Sequence, residues 1–438
     1  MRIHFIGIGG IGISALAKFM AGEGHTVSGS DLRQSEITDE LAHKFGAKIT
    51  IPHHAEAVEG ADIVIHSAAV RKNNPEYIRA KELGIPLFAR KDALKFILGK
   101  KRVFAVGGAH GKSTTSAMLA ELLPGANAVI GAISKAFHSN VRTVRGDDVV
   151  FEADESDASF LNCNPYMAIV TNVEPEHMEY YDYDLDRFHA AYEEFLRLAS
   201  VRVVNGEDPF LRGVELEAVR LYPGRDIGNI EYVLVDSEPY TRFDLAGMGR
   251  FEVFGIGEHI ALDASLAILA AVTAGADPEE VRKRLKEYRG IKKRFDIIDK
   301  RDGLVVIDDY GHHPTEIKAT MEALKIYAEM LGFSGIKAIW QPHKYSRTID
   351  NLQGFVDSFG GVDELVILPI WAAGEVEVPV DLQGAFSGYD LTMAERVTKE
   401  DSKVKILDRR GQLLKSFDSG LVVAFGAGDI TYQIRGLK

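Results

Sequence analysis

A chain of 438 residues, 46% hydrophobic and 26% charged, has the make-up of a soluble globular protein of two to four domains, at roughly 100–200 residues each. Its formal net charge of −13 argues against partners such as nucleic acid or an anionic membrane, which select clustered Lys and Arg, but leaves room for a local positive pocket. The single cysteine, Cys163, rules out an internal disulfide and fits a reducing compartment; no His or acid pattern beside it marks a nucleophile.

The first elements are a strand, Ile3–Ile6, and a glycine turn, Gly7-Ile8-Gly9-Gly10-Ile11-Gly12. Residues 3–21 are apolar, but the glycines break any signal-peptide core and Arg2 is a meagre positive start. No run of about 18 apolar residues follows, so the expectation is a cytoplasmic protein without membrane insertion. G-x-G-x-x-G between a strand and a helix lets backbone amides and a helix N-terminus approach a pyrophosphate. Asp31, 19 residues after Gly12, stands where an acid would meet a ribose. A tight turn without a ligand is the bland alternative.

A strand at Ala61–Ile65 belongs to the same segment, which ends near Lys100. The pattern then restarts. Arg102–Val106 reads as a strand entering Gly108-Ala109-His110-Gly111-Lys112-Ser113-Thr114, followed by an apolar helix. Val106 stands where the longer phosphate-loop pattern would have its first glycine. The shortened form keeps amides to cradle phosphate, Lys112 for the β/γ-phosphates and Ser113 for Mg²⁺. A dehydrogenase needs only the first loop, whereas an ATP-driven enzyme acting on a nucleotide-linked substrate would use both.

Strands at Val149–Phe151 and Met167–Val170 lead into two polar strings. Glu152-Ala153-Asp154-Glu155-Ser156-Asp157 offers hard carboxylate oxygens suited to Mg²⁺ beside ATP. Alternation puts Glu152 and Asp154 on one face and Glu155 on the other, so not all can bind one ion. Thr171-Asn172-Val173-Glu174-Pro175-Glu176-His177 carries a candidate ligand for a second ion in His177. If the two strands were adjacent and parallel, Glu152 and His177 would share one sheet edge. A helix covers about 185–198, and a less regular stretch runs to about residue 257.

The third segment begins near Arg294, with strands at Leu304–Ile307, Ile336–Trp340, Glu364–Leu368 and Leu421–Phe425. Asp308-Asp309-Tyr310-Gly311-His312-His313-Pro314 follows the first, and Gln341-Pro342-His343-Lys344-Tyr345-Ser346-Arg347 follows the second. His312 and His313 could simply cap a helix starting near Pro314. Zinc fits poorly, with one cysteine and no H-E-x-x-H.

Taken together these strings resemble the Mur ligase family, most closely its L-alanine-adding branch. Gln341 to Thr348 and Asp154 to Leu161 are the most specific matches, and the resemblance spans nearly the whole chain. It implies an α/β protein of three domains, with residues 1–97 holding the UDP-linked substrate, 98–292 binding ATP and 293–438 completing the nucleotide and amino-acid sites. The first and third domains would be Rossmann-like, and the central one a phosphate-loop ATPase fold with a parallel sheet. The activity implied is ligation of L-alanine to the lactyl carboxylate of UDP-N-acetylmuramate through an acyl phosphate, with ATP and Mg²⁺, in peptidoglycan synthesis. Other ligases of the family, and a nucleotide-sugar binder without turnover, are the alternatives.

By the same resemblance, Gly9, Gly10, Ile11, Gly12, Asp31 and Ser67 would meet the UDP substrate. Gly108 to Thr114, Arg294 and Asp309 would meet ATP. Lys112, Glu152 and His177 would be catalytic, with Ser113 and Glu152 on one Mg²⁺ and His177 on another. Tyr310, His343 and Arg347 would shape the L-alanine site. Three departures stand out: His259-Ile260-Ala261-Leu262-Asp263 replaces the usual His-Asn-x-x-Asn, Lys344 stands where Arg is common, and Ala109 replaces a Thr.

Overall fold

The computed structural model describes residues 1–301, 303–400 and 403–437. The chain packs as two compact units. One comprises Met1–Gly228, Leu245–Gly249 and Leu262–Tyr288, the other Asn229–Asp244, Arg250–Ala261 and Arg289–Lys438.

The first unit holds two sheets. Its N-terminal sheet contains β1 (Arg2–Ile6), β2 (Thr26–Ser30), β3 (Lys48–Thr50), β4 (Ile63–His66) and β5 (Leu87–Ala89), in the order β3-β2-β1-β4-β5. All neighbours are parallel. Ile3, Phe5 and Ile6 of β1 are buried on both faces, as a near-continuous apolar run in a parallel sheet requires. The chain winds outward from β1 to β3 and returns on the other side at β4. The crevice between β1 and β4 is therefore the switch point at which such sheets take ligands.

The second sheet contains β6 (Arg102–Gly107), β7 (Asn127–Ser134), β8 (Ser139–Arg142), β9 (Asp148–Glu152), β10 (Pro165–Val170), β11 (Val201–Asn205) and β12 (Val219–Leu221). Their order is β12-β11-β10-β6-β9-β7-β8, parallel except for the β7–β8 pair. β9 and β10 are not adjacent: β6 separates them. Each still ends at the same carboxyl edge as β6, so the two polar strings flank the phosphate loop from opposite sides.

The helix Ile11–Gly22 joins the two sheets. Residues Ile13 to Met20 are all buried, and the ammonium of Lys18 reaches Glu40 at 2.5 Å and Asn140 at 3.1 Å. A Cβ on Gly22 would lie 2.3 Å from a methyl of Thr143, so glycine is required there by space alone.

In the second unit, β13 (Ile227–Val235), β14 (Glu238–Leu245) and β15 (Gly249–Phe254) form a three-stranded sheet where the sequence suggested an irregular stretch. Asp236 and Ser237 turn between β13 and β14 with positive φ. The main sheet contains β16 (Asp296–Arg301), β17 (Leu304–Asp309), β18 (Ile336–Trp340), β19 (Glu364–Ile367) and β20 (Leu391–Met393). After the small antiparallel sheet of β21 (Arg396–Glu400), β22 (Lys403–Leu407) and β23 (Leu413–Phe417), the strand β24 (Gly420–Phe425) returns to its centre. The order is β16-β17-β24-β18-β19-β20, with only β16–β17 antiparallel. Trp340 anchors one face, its ring 4.8 to 5.5 Å from those of Phe355, Phe386 and Phe359. No helix among the described residues is long and apolar enough to cross a membrane.

Candidate functional site

The first glycine loop leaves β1 at the switch point. Gly7 has φ of +78°, and a Cβ there would lie 3.2 Å from Cβ of Ser67, the residue following β4. Gly10 precedes the helix that begins at Ile11, and Gly12 lies in its first turn. Asp31 accepts the Gly9 amide at 2.8 Å and the Leu32 amide at 2.7 Å. Its carboxylate thus holds the loop in shape, a duty its spacing did not reveal. The end of β2 is fixed by a residue the sequence reading passed over. Glu76, fully buried, accepts from Ser30 Oγ at 2.6 Å and the His54 amide at 2.9 Å, and lies 2.8 Å from His4 Nε2. Burial works against its charge, yet these partners hold the carboxyl below its usual range.

The phosphate loop leaves β6, at the centre of its sheet. Gly108 and Gly111 have φ of +134° and +81°. A Cβ on Gly108 would meet Thr171 Oγ1 at 2.1 Å, and one on Gly111 would meet Asp263 Oδ1 at 2.4 Å, so both positions exclude side chains twice over. Asn172 brackets His110, accepting its amide at 3.0 Å and donating to its carbonyl at 3.0 Å. Thr171 donates to the same carbonyl at 2.5 Å, and the Ala109 amide donates to the Asn172 carbonyl at 3.2 Å. The string after β10 therefore shapes the loop after β6.

Lys112 opens the helix Lys112–Leu122, with Ser113 and Thr114 in its first turn. Its ammonium donates to the carbonyls of Gly108 and Ala109 and to Glu155 Oε1 at 2.9 Å. Burial alone would lower the lysine pKa, but Glu155, Glu152 and Asp154 outweigh it and hold it above the ordinary value. Burial pushes the Glu155 carboxyl up to about 7 against the opposing pull of Lys112. Ser113 Oγ donates to Glu152 Oε1 at 2.8 Å, and Glu152 Oε2 accepts the Gly131 amide at 2.6 Å. His177, at φ of +53°, gathers with two glutamates. One ligand atom each of Glu155, Glu176 and His177 lies within 4.8 Å of the others. Glu155 Oε2 is buried with no hydrogen-bond partner among the described residues. Oxygen-rich donors with an orphaned carboxylate oxygen fit a hard cation such as Mg²⁺.

In the second unit, Arg294, Asp309, Tyr310, His343 and Arg347 gather at the carboxyl ends of β17 and β18. Arg294 pairs with Glu316 Oε1 at 2.9 Å, and its guanidinium lies 5.4 Å from the centre of the Tyr310 ring. Glu316 also accepts the His312 amide at 3.0 Å. Asp309, 2% exposed, accepts the amides of Phe295 at 2.8 Å and Gly311 at 2.7 Å. Burial pushes the Asp309 carboxyl up despite Arg294. Arg347 Nη1 meets His343 Nδ1 at 3.2 Å. Burial, then the charge of Arg347, pushes the His343 imidazole down to about 4, so it is neutral at physiological pH and a weak base, suited to accepting a hydrogen bond rather than a proton. His313 precedes the helix Pro314–Leu331 without a side-chain cap. Ser346 is tied to Glu375 through both hydroxyl, at 2.6 Å, and amide, at 3.1 Å. Glu316 and Glu375 close two strings that resemble the family, but the sequence assigned neither a role; beyond that, Glu316 is marked only by its place in the first turn of a helix beside two histidines.

Three family models match consecutive parts of the chain: "Mur ligase family, catalytic domain" over residues 2–102, "Mur ligase middle domain" over 106–222, and "Mur ligase, glutamate ligase domain" over 293–428. The chain is 52% identical over 435 residues to the UDP-N-acetylmuramate–L-alanine ligase of Campylobacter curvus, covering 99% of each. It is 51% identical over 437 residues to the enzyme of that name from Helicobacter pylori strain P12, covering 99% of this chain and 96% of the other. Among solved structures it is similar to the UDP-N-acetylmuramate–alanine ligase of Thermotoga maritima, with a TM-score of 0.80, 29% identity, and 100% and 98% coverage. A murein peptide ligase from Psychrobacter arcticus shares the fold, with a TM-score of 0.65 at 19% identity.

Proposed function

The chain belongs to the Mur ligase family, and from that premise we propose that it joins L-alanine to UDP-N-acetylmuramate at the expense of ATP, in peptidoglycan synthesis in the cytoplasm. The observation that carries this reading is the pair of glycine loops, each at the switch point of its own sheet within one compact unit. One suits the diphosphate of a nucleotide sugar, the other the phosphates of ATP.

A carboxylate is a poor acyl donor, so ATP first phosphorylates the lactyl carboxylate. The alanine amine then attacks the acyl phosphate and inorganic phosphate leaves. Negative charge crowds at both steps, and Lys112 offsets it with the loop amides. Mg²⁺, held by Ser113 and Glu152 and in a second site by His177, supplies further charge neutralisation when bound. In this reading residues 1–97 hold the UDP substrate, 98–292 bind ATP and 293–438 complete the nucleotide and amino-acid sites. Gly9 to Gly12, Asp31 and Ser67 serve the first; Gly108 to Thr114, Arg294 and Asp309 serve ATP. ADP release measured over a panel of amino acids tests the whole reading: it should require UDP-N-acetylmuramate and be fastest with L-alanine. Release without the nucleotide sugar, or a preference for a bulky amino acid, would overturn it.

The first loop should bind uridine diphosphate rather than NAD. Titration calorimetry of the full chain should give heat with UDP-N-acetylmuramate and none with NAD; the reverse pattern would reassign the loop.

The amino-acid pocket allows a second test. A carboxylate selects the planar fork of Arg347, and neutral His343 can accept a hydrogen bond from the amine. Arg347→Lys keeps the charge and loses the fork, so KM for L-alanine should rise about tenfold, the scale of one charge-assisted hydrogen bond. KM for ATP should stay put. A rise confined to ATP would move Arg347 to the nucleotide site.

A further inference from the structure

Arg90 begins the helix Arg90–Leu98, directly after β5, and no motif in the sequence pointed to it. Its guanidinium lies over the first glycine loop: a Cβ on Gly12 would be 2.8 Å from Arg90 Nη1 and 3.5 Å from Cζ. In loops of this kind the third glycine usually admits close helix–strand packing. Here the group nearest a side chain at Gly12 would be a movable cation.

The other terminal nitrogen turns toward the segment that follows β9. Nη2 lies 3.3 Å from Ser159 Oγ, 3.5 Å from Asp154 Oδ2 and 3.7 Å from Asp157 Oδ2. These contacts are long for charge-assisted bonds, which close to about 2.7–2.9 Å when fully made. The side chain is 21% exposed, so it is neither sealed in a core pair nor loose in solvent. Arg90 thus stands between a phosphate-seeking loop and an acidic segment, and is tightly bound by neither.

We propose that Arg90 is a binding residue for the diphosphate of the nucleotide sugar, adding a side-chain fork to the amides of the Gly7–Gly12 loop. This rests on the reading that the loop holds the UDP portion of the substrate. Arg90 Nη1 faces the loop, where a diphosphate oxygen would arrive beside the helix N-terminus. Nη2 keeps its tie to Asp154 and Ser159. One planar group therefore links the nucleotide-sugar crevice to the chain just beyond Glu152. Lysine could supply the charge but not both directions at once.

The test is titration calorimetry on the full-length protein and on Arg90→Ala and Arg90→Lys, with UDP, UDP-N-acetylmuramate and a non-hydrolysable ATP analogue as probes. Arg90→Ala should weaken UDP and UDP-N-acetylmuramate by the same factor, about ten- to a hundredfold, the scale of a charge-assisted hydrogen bond. Arg90→Lys should recover part of that loss. The ATP analogue should bind all three proteins alike, which also shows that the variants are folded. Unchanged UDP binding in Arg90→Ala would overturn the proposal, as would a loss confined to UDP-N-acetylmuramate, which would place Arg90 on the sugar or its carboxylate. An equal loss for the ATP analogue would overturn it too, and would make Arg90 a structural tie to Asp154. If the unaltered protein bound neither uridine ligand, the parent reading of the loop would fail, and this inference with it.

Discussion

Lys112→Ala should reduce turnover by at least about a hundredfold, the loss typical of removing one preorganised group that stabilises transition-state charge. The ammonium is held at the loop by the carbonyls of Gly108 and Ala109 and by Glu155, so it meets an arriving phosphate by exchanging one of these three bonds rather than by travelling to the loop. Removing it also strips Glu155, 1% exposed, of its partner. Without that cation, burial favours the neutral acid at Glu155, so the variant loses positive charge at the proposed phosphate site with nothing to replace it. Coupled measurement of ADP release checks the size of the effect. Unchanged binding of UDP-N-acetylmuramate would show that the unit is intact. Near-wild-type ADP release from such a protein would remove Lys112 from the mechanism.

Arg435→Met should destabilise the C-terminal unit by about 3 kcal/mol, because breaking a buried ion pair strands its partners. Arg435 meets Asp296 at 2.5 Å and Asp308 at 2.8 Å, and these carboxylates are 4% and 0% exposed. Thr431 donates to Asp308 at 2.6 Å, so the short helix Ile430–Ile434 is pinned to β17 through one aspartate. Methionine retains much of the apolar stem and loses the fork. Both tryptophans of the chain, Trp340 and Trp371, belong to this unit. Fluorescence during urea unfolding therefore reports on it directly. A midpoint unchanged at neutral pH would mean that the triad is worth no more than an exposed pair.

The elements that were legible in the sequence were those with local signatures. The two glycine loops, the strands before them and the helix at Leu185–Leu198 all follow from spacing within a short window. The acids after β9 were legible as a group, but strand alternation reaches only Glu152, the last residue of β9, and does not govern Glu155 beyond it. Strand order was not. Nothing local says that β6 enters between β9 and β10, since pairing of parallel strands is decided by the packing of helices far along the chain. The sheet β13–β15 was missed for another reason: along β13 no residue is fully buried, so the alternation that marks a half-buried strand is faint. Arg90, Glu76 and Glu316 escaped because a single charged residue has no period. Each becomes meaningful only when its partner is brought beside it: Arg294, 22 positions away, for Glu316; Ser30, 46 away, for Glu76; Asp154 and Ser159, 64 and 69 away, for Arg90.

The joint made by the helix Ile11–Gly22 bears on how such a chain can be divided. Lys18 finds its buried partner Asn140 on β8, and Gly22 fits against Thr143 with no room for a methyl. A cut near residue 97 separates two sheets, yet it would bare the apolar helix face and leave the Lys18 ammonium without Asn140. Modularity in this protein therefore runs by packed surface rather than by sheet. A graft of the N-terminal sheet between relatives would have to carry residues 139–143 with it, or use donors that already match at those positions.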